Sequence, residues 1–286
     1  MSDPKTLLVV LAHPDDESFG PGGTLARYAL HGANVHYLCG TRGEVGMADP
    51  EHLAGYASPA EMRWAELACA AEQLGLTSVI HLGYRDSGMP GSPDNSHPNA
   101  LVAAPAAEAA ARIAHHIRAL KPQVVITHDP IGGYRHPDHI AIHKATVAAF
   151  HAAGDPSTFP DSLPGYAPQK LYYAVFGAPW MLKAAIWMLP LFGLDPRRMG
   201  RNKDSDFTGA LFPVHAKIDI HGEAAERKFR AWLCHKSQTE GGGGPPTQGM
   251  AARYIRWMGS RNENFMRAHP AVNGRVAERD LFEGVV

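Results

Sequence analysis

A mostly parallel α/β sheet flanked by helices is the fold this sequence predicts, and three features predict it. Short apolar runs alternate with helix-length segments from Thr6 to Phe176. The first run, TLLVVLA at Thr6–Ala12, is apolar throughout rather than alternating, as suits a strand covered on both faces. Successive runs are far enough apart to hold a crossover helix, which parallel strands need.

The elements follow in order. Thr6–Ala12 is the first strand, and Gly22–His31 is a helix with Leu25, Tyr28 and Ala29 at helical spacing. Asn34–Cys39 is the second strand. Ala60–Leu74 is an amphipathic helix, stopped by Gly75. Ser78–Leu82 is the third strand, and Ala103–Leu120 is an Ala-rich helix ended by Lys121-Pro122. Gln123–Thr127 is the fourth strand, Asp138–Ala153 a helix and Lys170–Phe176 the fifth strand. The rest is less regular: a short strand at Ile218–Ile220, helices at Gly222–Cys234 and Ala251–Arg261, and a turn-rich GGGGPP loop at Gly241–Pro246. With no internal repeat or clean linker, one domain is expected over residues 1–286, its core at about 5–240 and a C-terminal extension at about 241–286. The expected architecture is Rossmann-like with irregular C-terminal elaborations.

Composition narrows the function. The chain of 286 residues is 45% hydrophobic and 19% charged, which is globular rather than disordered. Lys and Arg total 27 against 28 Asp and Glu, so no bulk charge announces a nucleic acid or an anionic membrane. Cys39, Cys69 and Cys234 are scattered and lack CxxC spacing, so no disulfide framework is expected and a reducing, cytoplasmic location is the default. The N-terminal apolar run is too short for a signal-peptide core. Phe176–Leu194 is apolar around a single charge, Lys183, but Pro179 and Pro190 leave a helix too short for the roughly 20 residues of a bilayer span. It reads as a core helix, a homo-oligomer interface or a wall for an apolar part of a substrate.

Two clusters carry chemistry. His13-Pro14-Asp15-Asp16 follows the first strand, where ligands bind in open parallel sheets. His13 and Asp16 can converge on one ion, leaving Asp15 as a general base. An Asp at such a turn can also simply cap the next helix, but two adjacent carboxylates beside an imidazole call for a cation. His136-Pro137-Asp138-His139 follows the fourth strand at the same sheet edge. His139 and His143 share a helix face, and spacing does not choose between them as ligand. Asp138 is placed to orient a neighbouring imidazole and raise its pKa. Together these describe a mononuclear metal site with three protein ligands and an open position, suited to amide hydrolysis. Zinc is the default ion, and the ligand types also tolerate iron(II) or cobalt(II).

These motifs resemble the LmbE-like, or PIG-L, family of zinc deacetylases. Ala12–Asp16 with Gly22-Gly23-Thr24 matches one signature, and His136–His139, preceded by Asp129-Pro130 and Gly132-Gly133-Tyr134, matches the other. Further matches are Thr41–Glu44, Arg63 with Glu66, Arg85–Met89 and His235–Gln238, so the resemblance runs from about 5 to 240. It implies zinc on His13, Asp16 and His139, which decides for His139 over His143. It implies Asp15 as general base, and His136 as oxyanion stabiliser or acid, oriented by Asp138. Glu44, Arg63 and Asp86 are implied as contacts to sugar hydroxyls, with a helix-surface salt bridge the plainer role for Arg63. The implied activity is removal of the N-acetyl group from a small GlcNAc-containing substrate. An amidase acting on a larger acyl group and a non-catalytic sugar-binding module are the alternatives. The Arg85–Met89 stretch leans towards the sugar–thiol branch of the family.

Overall fold

The computed structural model describes residues 4–46, 48–175, 179–198, 205–206, 208–209, 211–240, 261–274 and 276–286. Among them the strands are β1 (Thr6–Leu11), β2 (Asn34–Cys39), β3 (Ser78–His81), β4 (Val124–His128), β5 (Lys170–Val175), β6 (Ala216–Asp219) and β7 (Asn262–His269). The main helices are α1 (Gly22–Leu30), α2 (Pro59–Leu74), α3 (Ala106–Leu120), α4 (Pro137–Ala152), α5 (Pro179–Met188) and α6 (Glu223–Cys234). One sheet holds all seven strands in the order β3-β2-β1-β4-β5-β7-β6. β1 to β5 are parallel, with Leu7 paired to Val35 on one side and to Val124 on the other.

The packing explains why β1 is apolar along its whole length. Leu7, Val9 and Leu11 enter a core with Leu25 of α1, Leu67 of α2 and Ala224 of α6. Leu8 and Val10 face the opposite way, onto Ile113 of α3 and Ile142 of α4. Successive strand residues point to opposite faces, so a strand with helices on both sides needs apolar residues at both parities. Helix boundaries are set by capping chemistry. Ser58 accepts from Glu61 N at the start of α2, Pro59 takes the first helical position, and Gly75 closes the helix with φ 75°. The strand order turns back between β1 and β4, so their carboxyl ends flank the crevice where such sheets bind ligands.

The first five strands and their helices lie within a few residues of the expected bounds. Three expectations need correction. β7 was not foreseen: it runs antiparallel between β5 and β6, and its sequence NENFMRAH is too polar to read as a strand. It is tolerated because buried Glu263 is fully used, accepting from Gly23 N, Thr24 N and Lys228 Nζ. The expected helix at 251–261 lies outside the described residues except for Arg261, as does the 241–246 loop. In the apolar stretch after β5, Trp187 is 74% exposed and Leu191 70%, so neither belongs to the core. No helix among the described residues is long and apolar enough to cross a membrane.

The third correction concerns the cysteines. Cys69 of α2 and Cys234 at the end of α6 form a disulfide across 165 residues of sequence, with Cα atoms 5.8 Å apart. α2 and α6 lie side by side, and this pairing has no local spacing for a sequence motif to reveal. Cys39 stays free and buried. Unfolding without reductant should therefore expose one titratable thiol rather than three. Cys69→Ser should lower stability by about 2–4 kcal/mol, read from chemical denaturation with and without reductant.

Candidate metal centre

The chain leaves β1 through Ala12 and turns sharply at His13–Asp16. His13 N donates to Asp16 Oδ2 (2.8 Å), and Tyr37 Oη donates to His13 O (2.8 Å), which pins the turn to β2. Asp15 adopts φ 113°, a left-handed conformation unusual for any residue but glycine, and a one-turn helix starts at Asp16.

The second cluster arrives from β4. The Asp129 carboxylate accepts from Ile131 N and Gly133 N and so folds the loop back on itself. Gly132 has φ 69°, and a Cβ there would lie 2.9 Å from the Cβ of His139, so glycine is what lets the loop pass under that ring. His136 caps α4, its Nδ1 accepting from Asp138 N (3.1 Å), and Pro137 takes the first helical position.

Three donor groups meet between the two strand ends. His13 Nδ1 is 3.1 Å from His139 Nε2 and 3.6 Å from Asp16 Oδ2, and His139 Nε2 is 3.4 Å from Asp16 Oδ1. Ligands at ~2.0–2.1 Å in a tetrahedral site stand roughly 3.4 Å from one another. Groups of side chains able to hold a metal overlap at His139, one with His13 and His136 and another with Asp16 and His128, so His13, Asp16 and His139 all belong to one cluster of candidate ligands. His143, the other helix-face candidate, turns away and bonds the His128 carbonyl through Nδ1 (2.8 Å).

Charge makes the same point. His13 Nε2 faces Asp138 Oδ2 at 3.2 Å and Asp86 Oδ1 at 3.6 Å, while Asp16 faces Nδ1. Burial disfavours a charged imidazole, yet these carboxylates outweigh it and hold His13 well above its ordinary pKa. A buried pocket with this excess of negative charge is suited to a cation, and its nitrogen and carboxylate donors are those that zinc takes.

Asp138 orients an imidazole and helps to raise its pKa, as expected, but that imidazole is His13 rather than His136. Its carboxylate holds His13, with Ser87 N and Ser87 Oγ completing its bonds, and only its backbone N–H meets His136. Burial, and then positive charge on His13, push the His136 pKa down to about 4. The carboxylates of Asp138, Asp86 and Asp16 pull it up but are outweighed. With Nδ1 accepting from the helix, the neutral ring carries its proton on Nε2.

Arg63 also departs from expectation. It is buried, and its Nη2 donates to Asp15 Oδ2 (2.9 Å) and to Pro14 O (2.6 Å). Gly43 makes room for the guanidinium, since a Cβ there would overlap it. Burial pushes the Asp15 carboxyl up to about 7 even against the pull of Arg63. Asp86 is buried at the rim beside His13, whereas Glu44 stands one layer back, its Oε2 accepting from Asp86 N (2.9 Å).

Three residues near the centre had no assigned role in the sequence reading. His128, the last residue of β4, stacks on His139 with ring centroids 3.8 Å apart and accepts from Ala12 N at Nε2. Its place at a strand end opposite Ala12 was the available signal. Glu17 and His235 form a fully buried pair behind Asp15, with Glu17 Oε1 and His235 Nε2 2.6 Å apart. Burial opposes charge on His235, but Glu17 outweighs it and raises its pKa.

Comparison with known proteins agrees with this geometry. The profile of the PIG-L family, described as GlcNAc-PI de-N-acetylase, matches residues 8–150. The chain is 49% identical over 174 residues to a 1D-myo-inositol 2-acetamido-2-deoxy-α-D-glucopyranoside deacetylase from Kineococcus radiotolerans, covering 55% of this chain but only 48% of that protein's length. A protein of the same name from Rhodococcus jostii is 36% identical over 98% of both chains. The N,N'-diacetylchitobiose deacetylase of Pyrococcus horikoshii shares the fold, with a TM-score of 0.58 and 20% identity over 93% of this chain and 84% of its own.

Asp138→Ala should leave the fold intact but free the His13 ring. Zinc affinity, measured by competition with a chromophoric chelator, is expected to fall ~10–100-fold, the usual cost of losing the partner of a ligating histidine.

Proposed function

The chain belongs to the PIG-L family, and on that premise we propose that it is a zinc-dependent hydrolase that removes the N-acetyl group from a small GlcNAc-containing substrate. The observation that carries this reading is the cluster of His and Asp side chains between the two strand ends, where donor atoms of His13, Asp16 and His139 lie 3.1–3.6 Å from one another and Asp15 is next to Asp16 in the chain. The names of the relatives make a GlcNAc-inositol the first substrate to test.

In this reading His13, Asp16 and His139 hold the ion. Bound zinc would supply polarisation of the amide carbonyl and a lowered pKa for a water held there. Asp15 takes the proton from the attacking water as its oxygen bonds to the acyl carbon. Arg63 aims the Asp15 carboxylate, leaving the base poised near neutral pH by burial rather than by exposure. His136 donates its Nε2–H to the oxyanion that develops on the acyl oxygen, a role a neutral imidazole can fill. The C–N bond then breaks, and Asp15 returns its proton to the leaving nitrogen, giving acetate and a free amine. Asp86 and Glu44 shape the sugar side of the site, with Glu44 acting through the Asp86 backbone.

The reading is tested by amine and acetate release from GlcNAc, its chitobiose, GlcNAc-inositol and GlcNAc-malate, using apo protein and protein with one equivalent of zinc. Zinc-dependent release from GlcNAc-inositol is expected; a zinc-loaded protein silent on the whole panel would refute it. Asp15→Asn should keep zinc and lose ~10²–10⁴ in kcat, whereas His139→Ala should lose the metal as well. The base must be unprotonated, so kcat/KM should fall as pH drops through the Asp15 pKa. That limb is expected at or below about 7, because a neighbouring cation lowers it.

A further inference from the structure

We propose that Glu17 and His235 are positioning residues that clamp the backbone of Asp15 so that its carboxylate faces the metal position. The inference rests on the general-base role proposed for Asp15.

Asp15 needs such a clamp. Its backbone occupies the left-handed region at φ 113°, which a non-glycine residue keeps only when its surroundings hold it there. The bond that does so is short and local: Asp15 N donates to Glu17 Oε2 at 2.9 Å. The other carboxylate oxygen of Glu17 accepts from Ser18 Oγ and from His235 Nε2, each at 2.6 Å. Glu17 and His235 are both wholly buried, so no water competes for these bonds. With both oxygens engaged, the Glu17 side chain has one orientation available, and the Asp15 amide inherits it.

His235 is itself anchored from far away in sequence. It follows Cys234, which is joined to Cys69 of α2. Two residues further on, Ser237 N and Ser237 Oγ donate to the two oxygens of Glu66, also on α2 (both 2.7 Å). The same helix carries Arg63, which grips the Asp15 carboxylate. Asp15 is thus held at its amide through Glu17 and His235 and at its side chain through Arg63, and both grips are rooted in α2. This gives the His235–Gln238 motif a function: it carries no reacting group but delivers the imidazole that orients Glu17. Among the described residues the Nδ1 of His235 has no hydrogen-bond partner, and the ring's hydrogen bond there is the one to Glu17.

The test uses the full-length, zinc-loaded chain and compares Glu17→Met, which removes both acceptor oxygens, with Glu17→Gln, which keeps one. Glu17→Met is expected to lose on the order of 10²-fold in kcat, the usual cost of a misplaced catalytic group, with KM and zinc stoichiometry unchanged. Glu17→Gln should recover most of that loss. Amide hydrogen exchange at Asp15 should quicken at least about tenfold in Glu17→Met as its N–H loses its acceptor. If Glu17→Met does not fold, His235→Asn, too short to reach Glu17, should show the same split of kcat from KM. A folded Glu17→Met protein with wild-type kcat, or with unchanged exchange at Asp15, overturns the proposal. If the wild-type enzyme releases no acetate, the proposed function fails. The exchange measurement still decides on the clamp: faster exchange supports it, unchanged exchange refutes it.

Discussion

The excess of buried negative charge around His13 is the constraint on which the site depends. Asp16, Asp86 and Asp138 all face one imidazole in a largely buried crevice between the ends of β1 and β4. Such a group of carboxylates is costly in a low-dielectric interior unless a positive charge sits among them. The fold tolerates the arrangement because each carboxylate is also tied to protein donors: Asp16 to His13 N, Asp86 to Gly88 N, and Asp138 to Ser87. These bonds fix the oxygens in place without neutralising them. The result is a preformed His/Asp group that could hold a metal ion.

Asp15, proposed as the base, is treated in the opposite way. Asp15 is adjacent to Asp16 in sequence, yet burial raises it while the surrounding imidazoles hold Asp16 well below the usual carboxylate range. Two neighbouring carboxylates with pKa values pushed apart can divide the work, one binding the ion and the other moving a proton. Across the left-handed backbone at Asp15 the two successive side chains meet different partners, Asp15 the Arg63 guanidinium and Asp16 the rings of His13 and His139. That conformation is strained, and the helices behind it carry the groups that hold it: Arg63 on α2, and His235 just after α6. The Cys69–Cys234 bond joins those two helices one residue before His235.

What could be read from the chain alone was what is local. The apolar run of β1, the Gly75 stop of α2 and the turn after each strand are encoded within a few residues, because strand and helix periods and capping act over short spans. The HPDD and HPDH clusters could be placed at one sheet edge for the same reason. In a parallel sheet the strand ends lie together whatever the crossovers contain.

What only the tertiary structure decided were the partners. Arg63 meets Asp15 across 48 positions, Asp138 meets His13 across 125 and His235 meets Glu17 across 218. β7 depends on a bond from Gly23 N to Glu263 across 240, which lets a polar segment run between β5 and β6. No period or motif in the sequence encodes these pairings. A charged side chain can be satisfied by any complementary group that packing brings near, and packing is settled by the whole core at once. The candidate ligands and Asp138 could therefore be named from the sequence, whereas the imidazole that Asp138 holds and the support of Asp15 by Arg63 and Glu17 emerged only when the chain was folded.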